Sequence, residues 1–305
     1  MSIEEAYGSP GQFKAAFDRR YREQPRALII MMERFAARVC QEIDSAVIKG
    51  GLGLELRLET PRTTKDADLV VSGSANLEAR LKQAGLLDLG DYLRFAVKPN
   101  KLPRFKVPGM RYSAERYDVQ AYFATGPGPW SGSPYRKFAV EIDIRGHVEF
   151  DQLFSEVEGF PQIPRVPIRV LDLHVQIAEK VHAYTDPRHR EAGDEKVMRP
   201  RDLLDMCRCA ASERVSFDAA RLREALGSVY ERRRQAAPDA NLPDLPRELP
   251  TMPQSWERAF KAQAEQSQLP WTDPIVAHRF AAAFINPVLA ADARGQWDPA
   301  AKRWQ

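Results

Sequence analysis

A glycine-rich turn followed by two closely spaced aspartates is the feature that most constrains this chain. Both lie in the segment "VIKGGLGLELRLETPRTTKDADLVV", residues 47–71. Apolar residues before the glycines and after the aspartates predict two β-strands. Side chains alternate between the two faces of a strand, so Asp66 and Asp68 should project from one face, about 7 Å apart. Two like charges at that distance repel each other unless a cation lies between them.

The aspartate pair suits a magnesium ion, which binds through one or two carboxylates together with substrate phosphates. A second acidic pair, Glu141 and Asp143, alternates with apolar residues in "FAVEIDIRG". If the two strands are neighbours, three or four carboxylates converge as in a two-metal site. The alternative is an ordinary solvated strand face, because Asp-x-Asp alone is a common pattern.

The glycine turn "KGGLG" follows the first predicted strand and precedes residues 52–58, which are compatible with a helix. Backbone amides that glycine leaves accessible at the start of a helix can bind phosphate. The turn matches neither a dinucleotide-binding fingerprint nor a P-loop. It becomes specific only in combination with the downstream run "RTTKDAD".

A lysine interrupts the apolar face of a predicted helix in "LDLHVQIAEKVHAY", residues 171–184. The apolar stripe of that helix consists of Leu173, Ile177, Val181 and Tyr184. Lys180 falls within the stripe, where burial is costly unless an anion meets the ammonium group. Lys180 therefore either extends its ammonium group into water or lines a cleft where it meets a triphosphate or a carboxylate. His174 and His182 fall on the outer side and are predicted to be surface residues.

A further predicted helix, "MRPRDLLDMCRCA" at residues 198–210, combines an apolar face with a charged one. Pro200 suits a first helical position, and Asp202 in the first turn complements the helix dipole. Arg201, Asp205 and Arg208 share the side opposite the leucines. Their spacing is typical of a row of ion pairs on a surface.

The order of these elements predicts an α/β (α+β) N-terminal domain with a mixed sheet flanked by helices, followed by a mainly helical C-terminal lobe. The proline-rich segment "FPQIPRVP" marks the predicted boundary, giving domains 1–160 and 161–305. The helical domain is expected to complete the site, and residues 238–253 to form an extended proline-rich connector. The helices of this lobe are predicted at about 172–184, 200–211, 217–235, 254–268 and 274–290.

Composition excludes several classes of protein. The chain has 305 residues, a formal net charge of +3 and three cysteines. No segment reaches the roughly 18 apolar residues of a membrane span, and "MSIEEAYGSPGQ" does not have the pattern of a secretory signal. The cysteines are too few for a disulfide framework, which favours reduced thiols in the cytoplasm.

Two local basic segments are candidates for binding nucleic acid, although each is equally consistent with a solvated basic face. Residues 94–116 contain seven basic side chains with interleaved aromatic residues. The second candidate is "ERRR" at residues 231–234. Basic residues can hold a phosphate backbone while aromatic rings stack on bases. The seven basic residues are Arg94, Lys98, Lys101, Arg104, Lys106, Arg111 and Arg116.

Together these motifs resemble one family. The order is Gly-Gly after a strand, Arg-x-Thr-Lys-Asp-x-Asp, Ala-Glu-Lys-x-His-Ala on a helix, and Arg-Asp-Leu-x-Asp. It is similar to the AbiEii/AbiGii-type nucleotidyltransferase toxins of type IV-style toxin–antitoxin and abortive-infection systems. Their core is similar to that of the DNA polymerase β-like nucleotidyltransferases. The motifs cover residues 25–211, and "FINPVL" extends the resemblance loosely into the tail.

The resemblance implies a role for each matched residue. It implies phosphate binding at Gly50 and Gly51, and metal binding at Asp66 and Asp68. The third carboxylate implied by the superfamily pattern is Asp143, with Glu141 as the alternative. Further residues that match the family motifs are Thr63, Thr64, Lys65, Lys180, Arg201, Asp202 and Asp205. Of these, Lys180 and Arg201 are expected to contact the triphosphate, and Asp202 or Asp205 to orient Lys180 or help deprotonate the acceptor.

The function implied is Mg²⁺- or Mn²⁺-dependent transfer of a nucleotide from an NTP to an acceptor hydroxyl. The tRNA 3′ end is the preferred acceptor, and its modification would block translation and growth. A cognate antitoxin encoded by an adjacent gene is the expected partner, with a role in phage defence. Two alternatives remain: nucleotide transfer to a protein hydroxyl, and a non-catalytic partner-binding module that retains the fold.

Overall fold

A computed structural model describes residues 2–21, 25–58, 64–73, 75–100, 113–124, 132–191, 198–237 and 242–305. The chain divides into two compact units. Of the described residues, the sheet unit contains those in 2–53, 64–100 and 113–171, and the helical unit contains those in 54–58 and 172–305. The predicted mixed sheet with flanking helices and a mainly helical C-terminal part are both observed.

The sheet unit is built on seven strands in the order β3-β4-β5-β2-β1-β7-β6. Their bounds are β1 (Val47–Lys49), β2 (Asp66–Val71), β3 (Leu93–Pro99), β4 (Ser113–Phe123), β5 (Arg136–Ile144), β6 (Phe150–Ser155) and β7 (Val166–Leu171). The pairs β1–β7 and β2–β5 are parallel, and the other adjacent pairs are antiparallel. The strands that carry the two acidic pairs are therefore neighbours in the sheet.

Helices cover the face of the sheet that is opposite to the two acidic pairs. The helices of the sheet unit are α1 (Ile3–Tyr7), α2 (Pro10–Tyr21), α3 (Pro25–Glu42) and α5 (Leu77–Leu86). Helix α3 begins at Pro25, a residue suited to a first helical position, and packs against β2, β5, β6 and β7. The short helix α4 (Gly50–Glu55) begins in the sheet unit, and its last two residues belong to the helical unit.

Ion pairs between two arginines and Asp91 hold α3 to the loop before β3. Arg34 and Arg38 lie on α3, and their guanidinium groups contact the Asp91 carboxylate at 2.8 and 2.5 Å. All three side chains are fully buried. Burial by itself raises the pKa of Asp91, but the two arginine charges and their hydrogen bonds lower it to about 2. The Asp91 carboxylate and several backbone carbonyl oxygens accept hydrogen bonds from the two guanidinium groups, so we interpret these contacts as structural.

The helical unit contains α6 (Leu173–Thr185), α7 (Pro187–Arg190), α8 (Pro200–Ala211), α9 (Ala219–Ala236), α10 (Glu257–Gln266) and α11 (Pro274–Leu289). A 3₁₀ turn, Gln254–Trp256, precedes α10, and a small hairpin of β8 (Trp297–Asp298) and β9 (Arg303–Trp304) follows α11. Trp256 and Trp297 are buried in the core of this unit, with Trp271 and Trp304 packed against it. These four tryptophans therefore have packing roles in this unit.

The division between the units falls after Leu171, not within residues 160–167. The reason is that residues 166–171 form β7, which pairs with both β1 and β6.

Residues 242–253, the described part of the predicted connector, contain no helix or strand. All three cysteines are free thiols and are buried. No helix within the described ranges is both long enough and apolar enough to cross a membrane.

Candidate active site

A row of charged side chains crosses the exposed face of the sheet. Lys49 on β1 lies opposite Asp68 on β2, and Asp68 lies opposite Glu141 on β5. Arg116 on β4 continues the row beyond Glu141. Paired residues of adjacent strands project to the same side of a sheet. The pairing therefore aligns these four side chains on one face, and we call them the charged row.

The two aspartates of β2 share the face of the charged row. Asp66 and Asp68 are half-buried, whereas Ala67 and Leu69 between and after them are fully buried on the other face. The predicted alternation is therefore observed. The spacing of two residues along a strand keeps both carboxylates near the same point of the surface.

Crowding of like charges perturbs Asp68. Burial is the largest cause, and it raises the pKa of Asp68 to about 7 against the opposing effect of the Lys49 ammonium group. The negative charges of Asp66, Glu141 and Asp143 raise the pKa further. A carboxylate with several acidic neighbours is stabilised in its charged form when a cation arrives. The chemistry of this face therefore favours binding of a cation.

Gly50 makes room for Asp68. Its φ angle is +63°, a left-handed conformation that side chains rarely adopt. A Cβ atom at this position would lie 2.0 Å from Oδ2 of Asp68. Helix α4 begins at Gly50 itself, two residues before the predicted start at residue 52. The glycine thus has two roles, since it permits the turn and accommodates the aspartate against the backbone.

The two candidates for a third carboxylate have different surroundings. Asp143 forms an ion pair with Lys49 at 2.5 Å, and the guanidinium group of Arg145 lies 3.7 Å away. Glu141 is exposed and lies directly opposite Asp68. Glu141 has no hydrogen bond or ion pair to any part of the chain that the structure describes. Asp143 is therefore tied to cations of the chain, whereas Glu141 is not.

The polar run before β2 is only partly described. Thr63 lies outside the described residues. The hydroxyl group of Thr64 is buried and donates a hydrogen bond to the carbonyl oxygen of Asp66 at 3.4 Å. Lys65 is exposed. Thr64 therefore supports the start of β2, and the matched roles of Thr63 and Lys65 stay predictions.

Lys180 lies in the helical unit and contacts two carboxylates of α8. Its ammonium group lies 3.1 Å from Asp202 and 2.6 Å from Asp205. The Lys180 side chain is only 11% exposed, so it does not extend freely into water. Of the alternatives that the sequence left open, contact with carboxylates is the one observed.

The ion-pair row predicted on the surface of α8 is wrong for two of its three members. Arg201 is exposed, but Asp205 and Arg208 are buried. Arg208 donates to Asp205 at 3.0 Å and to Glu55 of α4 at 2.7 Å. Helix α8 packs against α6, α10 and α11 in this unit, and this packing covers Asp205 and Arg208 but not Arg201. We call Lys180, Asp202, Asp205, Arg208 and Glu55 the buried ion-pair cluster.

The predicted surface positions of His174 and His182 are also wrong. Both side chains are buried, because α9 packs against the side of α6 that carries them. His174 accepts a hydrogen bond from the backbone of Asp218, and His182 contacts the ring of Tyr230 edge-on. Burial is the main cause that lowers the pKa of His182 to about 4, and the charge of Arg233 adds to it. Neither histidine has the surroundings of a metal ligand.

The two basic segments are only partly described. In the first segment, Arg94 is engaged by Asp88 at 3.0 Å, and Lys98 and Arg116 are exposed. Lys101, Arg104, Lys106 and Arg111 lie outside the described residues. In the second segment, ion pairs join Arg232 to Glu179 at 3.1 Å and Arg234 to Asp244 at 2.8 Å. These contacts take up part of the charge that each segment would offer to a nucleic acid.

Lys49 and Glu55 are two residues of these clusters that sequence reasoning missed. Lys49 immediately precedes the glycine turn, and its position in β1 already indicated that it shares a sheet face with the site. Glu55 is the single acid within "LGLEL", which was a signal of a buried carboxylate with a partner.

A magnesium ion fits the sheet site with help from its substrate. Within the described ranges, no group of three or more histidine, cysteine, aspartate or glutamate side chains stands ready to hold a metal. Asp66 and Asp68 provide hard oxygen ligands on one face, and Mg²⁺ is commonly held by one or two carboxylates plus substrate phosphates. The donor set therefore matches a cation that is completed by a phosphate-bearing ligand.

Comparison with known proteins identifies one family. Residues 35–286 match the family described as "Nucleotidyl transferase AbiEii toxin, Type IV TA system". That range contains the whole charged row and the whole buried ion-pair cluster. No curated protein matches the chain at a significant level.

Two solved structures from Helicobacter pylori are similar to the chain. The crystal structure of JHP933 has a TM-score of 0.44 and 15% identity, covering 88% of this chain and 94% of that chain. A "putative nucleotidyltransferase" has a TM-score of 0.41 and 14% identity, covering 85% of this chain and 92% of that chain. At these TM-scores the family assignment rests on the family match alone.

Proposed function

This chain belongs to the AbiEii family of nucleotidyl transferase toxins of type IV toxin–antitoxin systems, and from that premise we propose Mg²⁺-dependent transfer of a nucleotide from an NTP to the 3′ end of tRNA. Membership makes the chain a nucleotidyltransferase with an NTP substrate. The single observation that carries the metal dependence is the like-charge crowding at Asp68, whose pKa is raised to about 7 by burial and by its acidic neighbours.

We assign metal binding to Asp66 and Asp68. A divalent cation held by these two carboxylates would neutralise phosphate charge and favour departure of pyrophosphate. The two carboxylates act as fixed ligands because β2 lies between two paired strands, β1 and β5. Rigid placement of this kind lowers the entropic cost of bringing the reactants together.

Glu141 is our choice for the third carboxylate, in place of Asp143. Glu141 lies directly opposite Asp68, whereas Asp143 is engaged by Lys49 at 2.5 Å. An acid that already neutralises a lysine is a weaker ligand for a second cation. Glu141 would serve either as a further metal ligand or as a proton acceptor for the attacking hydroxyl group.

The reaction joins the acceptor oxygen to the α-phosphorus of the NTP. The bond from that phosphorus to the bridging oxygen breaks, pyrophosphate leaves, and the hydroxyl proton passes to a base. Backbone amides at Gly50 and Gly51 are proposed to contact the phosphates. Lys180 is proposed to neutralise the triphosphate, with Asp202 and Asp205 fixing its ammonium group at 3.1 and 2.6 Å.

The proposed acceptor is the 3′ hydroxyl group of tRNA, and addition of a nucleotide there would block translation. Exposed Lys98 and Arg116 on the sheet unit supply positive charge suited to a phosphate backbone. The type IV family implies a cognate antitoxin. We propose that it is encoded by an adjacent gene, and that the pair acts in abortive infection against phage.

A labelling experiment tests this function. Purified protein is incubated with Mg²⁺, total tRNA, a lysate depleted of RNA, and each of the four α-³²P-labelled NTPs in turn. We expect label on tRNA with at least one nucleotide, and none when EDTA replaces Mg²⁺. Label on protein bands only would overturn the tRNA acceptor while retaining the transferase, and label on neither would overturn the proposed reaction.

The position of the added nucleotide provides a second test. Periodate oxidation of the tRNA 3′ terminus removes the acceptor hydroxyl groups without changing the rest of the molecule. We expect it to abolish labelling. Undiminished labelling of oxidised tRNA would show that the nucleotide is attached elsewhere.

A further inference from the structure

Lys49 lies beside two acids of the sheet site, Asp68 and Asp143. It precedes Gly50 in the chain, lies opposite Asp68 in the sheet, and pairs with Asp143 at 2.5 Å. Its side chain is 15% exposed, so its charge is only partly screened by water. The Lys49 ammonium group is therefore a cation that the chain itself supplies to this face of β1 and β2.

We propose that Lys49 makes this site select the metal–nucleotide complex over the bare metal ion. The inference rests on the proposed function, because it assumes that Asp66 and Asp68 hold the metal. Lys49 repels a free Mg²⁺ ion, since both carry positive charge. An Mg²⁺–NTP complex carries a net charge of about −2, because a fully ionised triphosphate has four negative charges, and Lys49 attracts it.

The ion pair with Asp143 fixes the position of Lys49. Arg145, whose side chain is 5% exposed, lies 3.7 Å from the same carboxylate. Asp143 thereby contacts two cations of the chain on the face that holds Asp68. We therefore expect Asp143 to neutralise part of the Lys49 charge. Glu141 is then available to act on the metal or the acceptor.

Selection of this kind has a chemical use. If Mg²⁺ bound alone between Asp66 and Asp68, each incoming nucleotide would have to place its phosphates correctly against an ion that is already fixed. If the cation enters together with its triphosphate, the phosphates arrive already coordinated. The cost for the protein is a weak affinity for free metal, which agrees with a described chain that holds no ready three-ligand metal set.

Removal of the Lys49 charge should shift two affinities in opposite directions. In Lys49→Met we expect free Mn²⁺ to bind about tenfold more tightly at about pH 8, and Mn²⁺ with a non-hydrolysable NTP analogue about tenfold more weakly. Free Mn²⁺ is measured by electron paramagnetic resonance, and the complex by calorimetry. Lys49→Arg keeps the charge and should retain both wild-type affinities.

A matched control and a second variant protect the test against a folding defect. Lys82→Met makes the same charge change on α5, where Lys82 is exposed and pairs with Glu78, and should alter neither affinity. Asp143→Asn leaves Lys49 uncompensated, and should weaken free Mn²⁺ binding while retaining or tightening binding of the complex. Thermal unfolding of each variant verifies that it is folded.

The outcomes separate this inference from the function on which it rests. If the wild type binds the Mn²⁺–nucleotide complex but Lys49→Met shifts both affinities the same way, or neither, the inference is overturned and the function stands. If the wild type does not bind the complex with any of the four nucleotides, both are overturned. Opposite shifts in Lys49→Met, absent in Lys82→Met, are the result we expect.

Discussion

Asp68 of the sheet unit and Asp205 of the helical unit are surrounded by opposite balances of charge. On the sheet, Asp68 has three acidic neighbours, and its pKa is raised to about 7 by burial and by those charges. In the helical unit, Asp205 contacts Lys180 at 2.6 Å and Arg208 at 3.0 Å. The first arrangement favours an added cation, and the second already contains its cations. We therefore propose metal binding on the sheet, whereas the buried ion-pair cluster fixes Lys180.

The largest expected effect is on the reaction itself. Asp68→Asn should lower nucleotidyl transfer by a factor of about 10³ or more, because it removes one of the two metal-binding charges. The variant should unfold at the same temperature as the wild type or higher, since the mutation relieves repulsion among acids. Transfer is measured with α-labelled NTP, and unfolding by circular dichroism. Asp151→Asn on β6 is a matched control with wild-type activity.

The buried ion-pair cluster should respond in stability. Arg208→Met removes the guanidinium group that contacts both Asp205 and Glu55, and breaking a buried ion pair typically costs about 3–5 kcal/mol. Urea unfolding monitored by tryptophan fluorescence measures the loss, because Trp256 and Trp297 lie in the core of this unit. Arg201→Met on the same helix is exposed and should change stability by about 0.5 kcal/mol or less. Equal effects from the two arginines would contradict the buried cluster.

The glycine turn connects the backbone to the sheet site. Gly50→Ala places a Cβ atom where Oδ2 of Asp68 lies and forces a side chain into a positive φ. We expect transfer to fall about 10²-fold because displacement of a reacting group by about 1 Å is costly. Gly73→Ala, where a Cβ atom meets no atom within 4 Å, should retain activity. Wild-type transfer by Gly50→Ala would show that Asp68 does not need its observed position.

The pH dependence of stability that Asp68 causes in the sheet unit should be opposite in sign to the one that His182 causes in the helical unit. The folded sheet unit keeps a proton on Asp68 up to about pH 7, whereas the unfolded chain loses it near pH 4, so stability falls as pH rises through that window. His182 has its pKa lowered to about 4 by burial, so its contribution is present above about pH 6.5 and is lost as pH falls.

Amide hydrogen exchange resolves these two trends by region. Protection of β2 should decrease from about pH 5 to about pH 7, and protection of α6 should increase, each by about 2 kcal/mol after correction for intrinsic rates. Asp68→Asn should remove the trend in β2 and leave the trend in α6. If protection changed with pH in the same direction in β2 and in α6, the opposite effects of Asp68 and His182 on stability would be contradicted.

Local patterns predicted the elements, whereas tertiary packing decided burial. The alternation around Asp66 and Asp68 predicted their shared face, and the apolar stripe of α6 predicted Leu173 and Ile177 in the core. The same reasoning failed for His182, because a helical projection does not reveal that α9 covers the second side of α6. A single helix shows which side is apolar, but its polar side is buried whenever another element supplies a partner.

The charge partners were likewise beyond local reasoning. Lys49 and Asp143 are 94 positions apart in the chain and meet only because β1, β2 and β5 are adjacent. Their pairing distinguishes Asp143 from Glu141, which the alternation of β5 left equivalent. Strand order and register, which follow from long-range contacts, supplied that distinction.

The position of a bound metal tests the central claim most directly. Crystals grown with Mn²⁺ and a non-hydrolysable NTP analogue are measured at the manganese absorption edge, which locates Mn²⁺ by its anomalous signal. The account predicts a manganese peak at the carboxylates of Asp66 and Asp68 and adjacent to the nucleotide phosphates. A peak at Asp202 and Asp205, or a nucleotide bound away from β2 without metal, would contradict it.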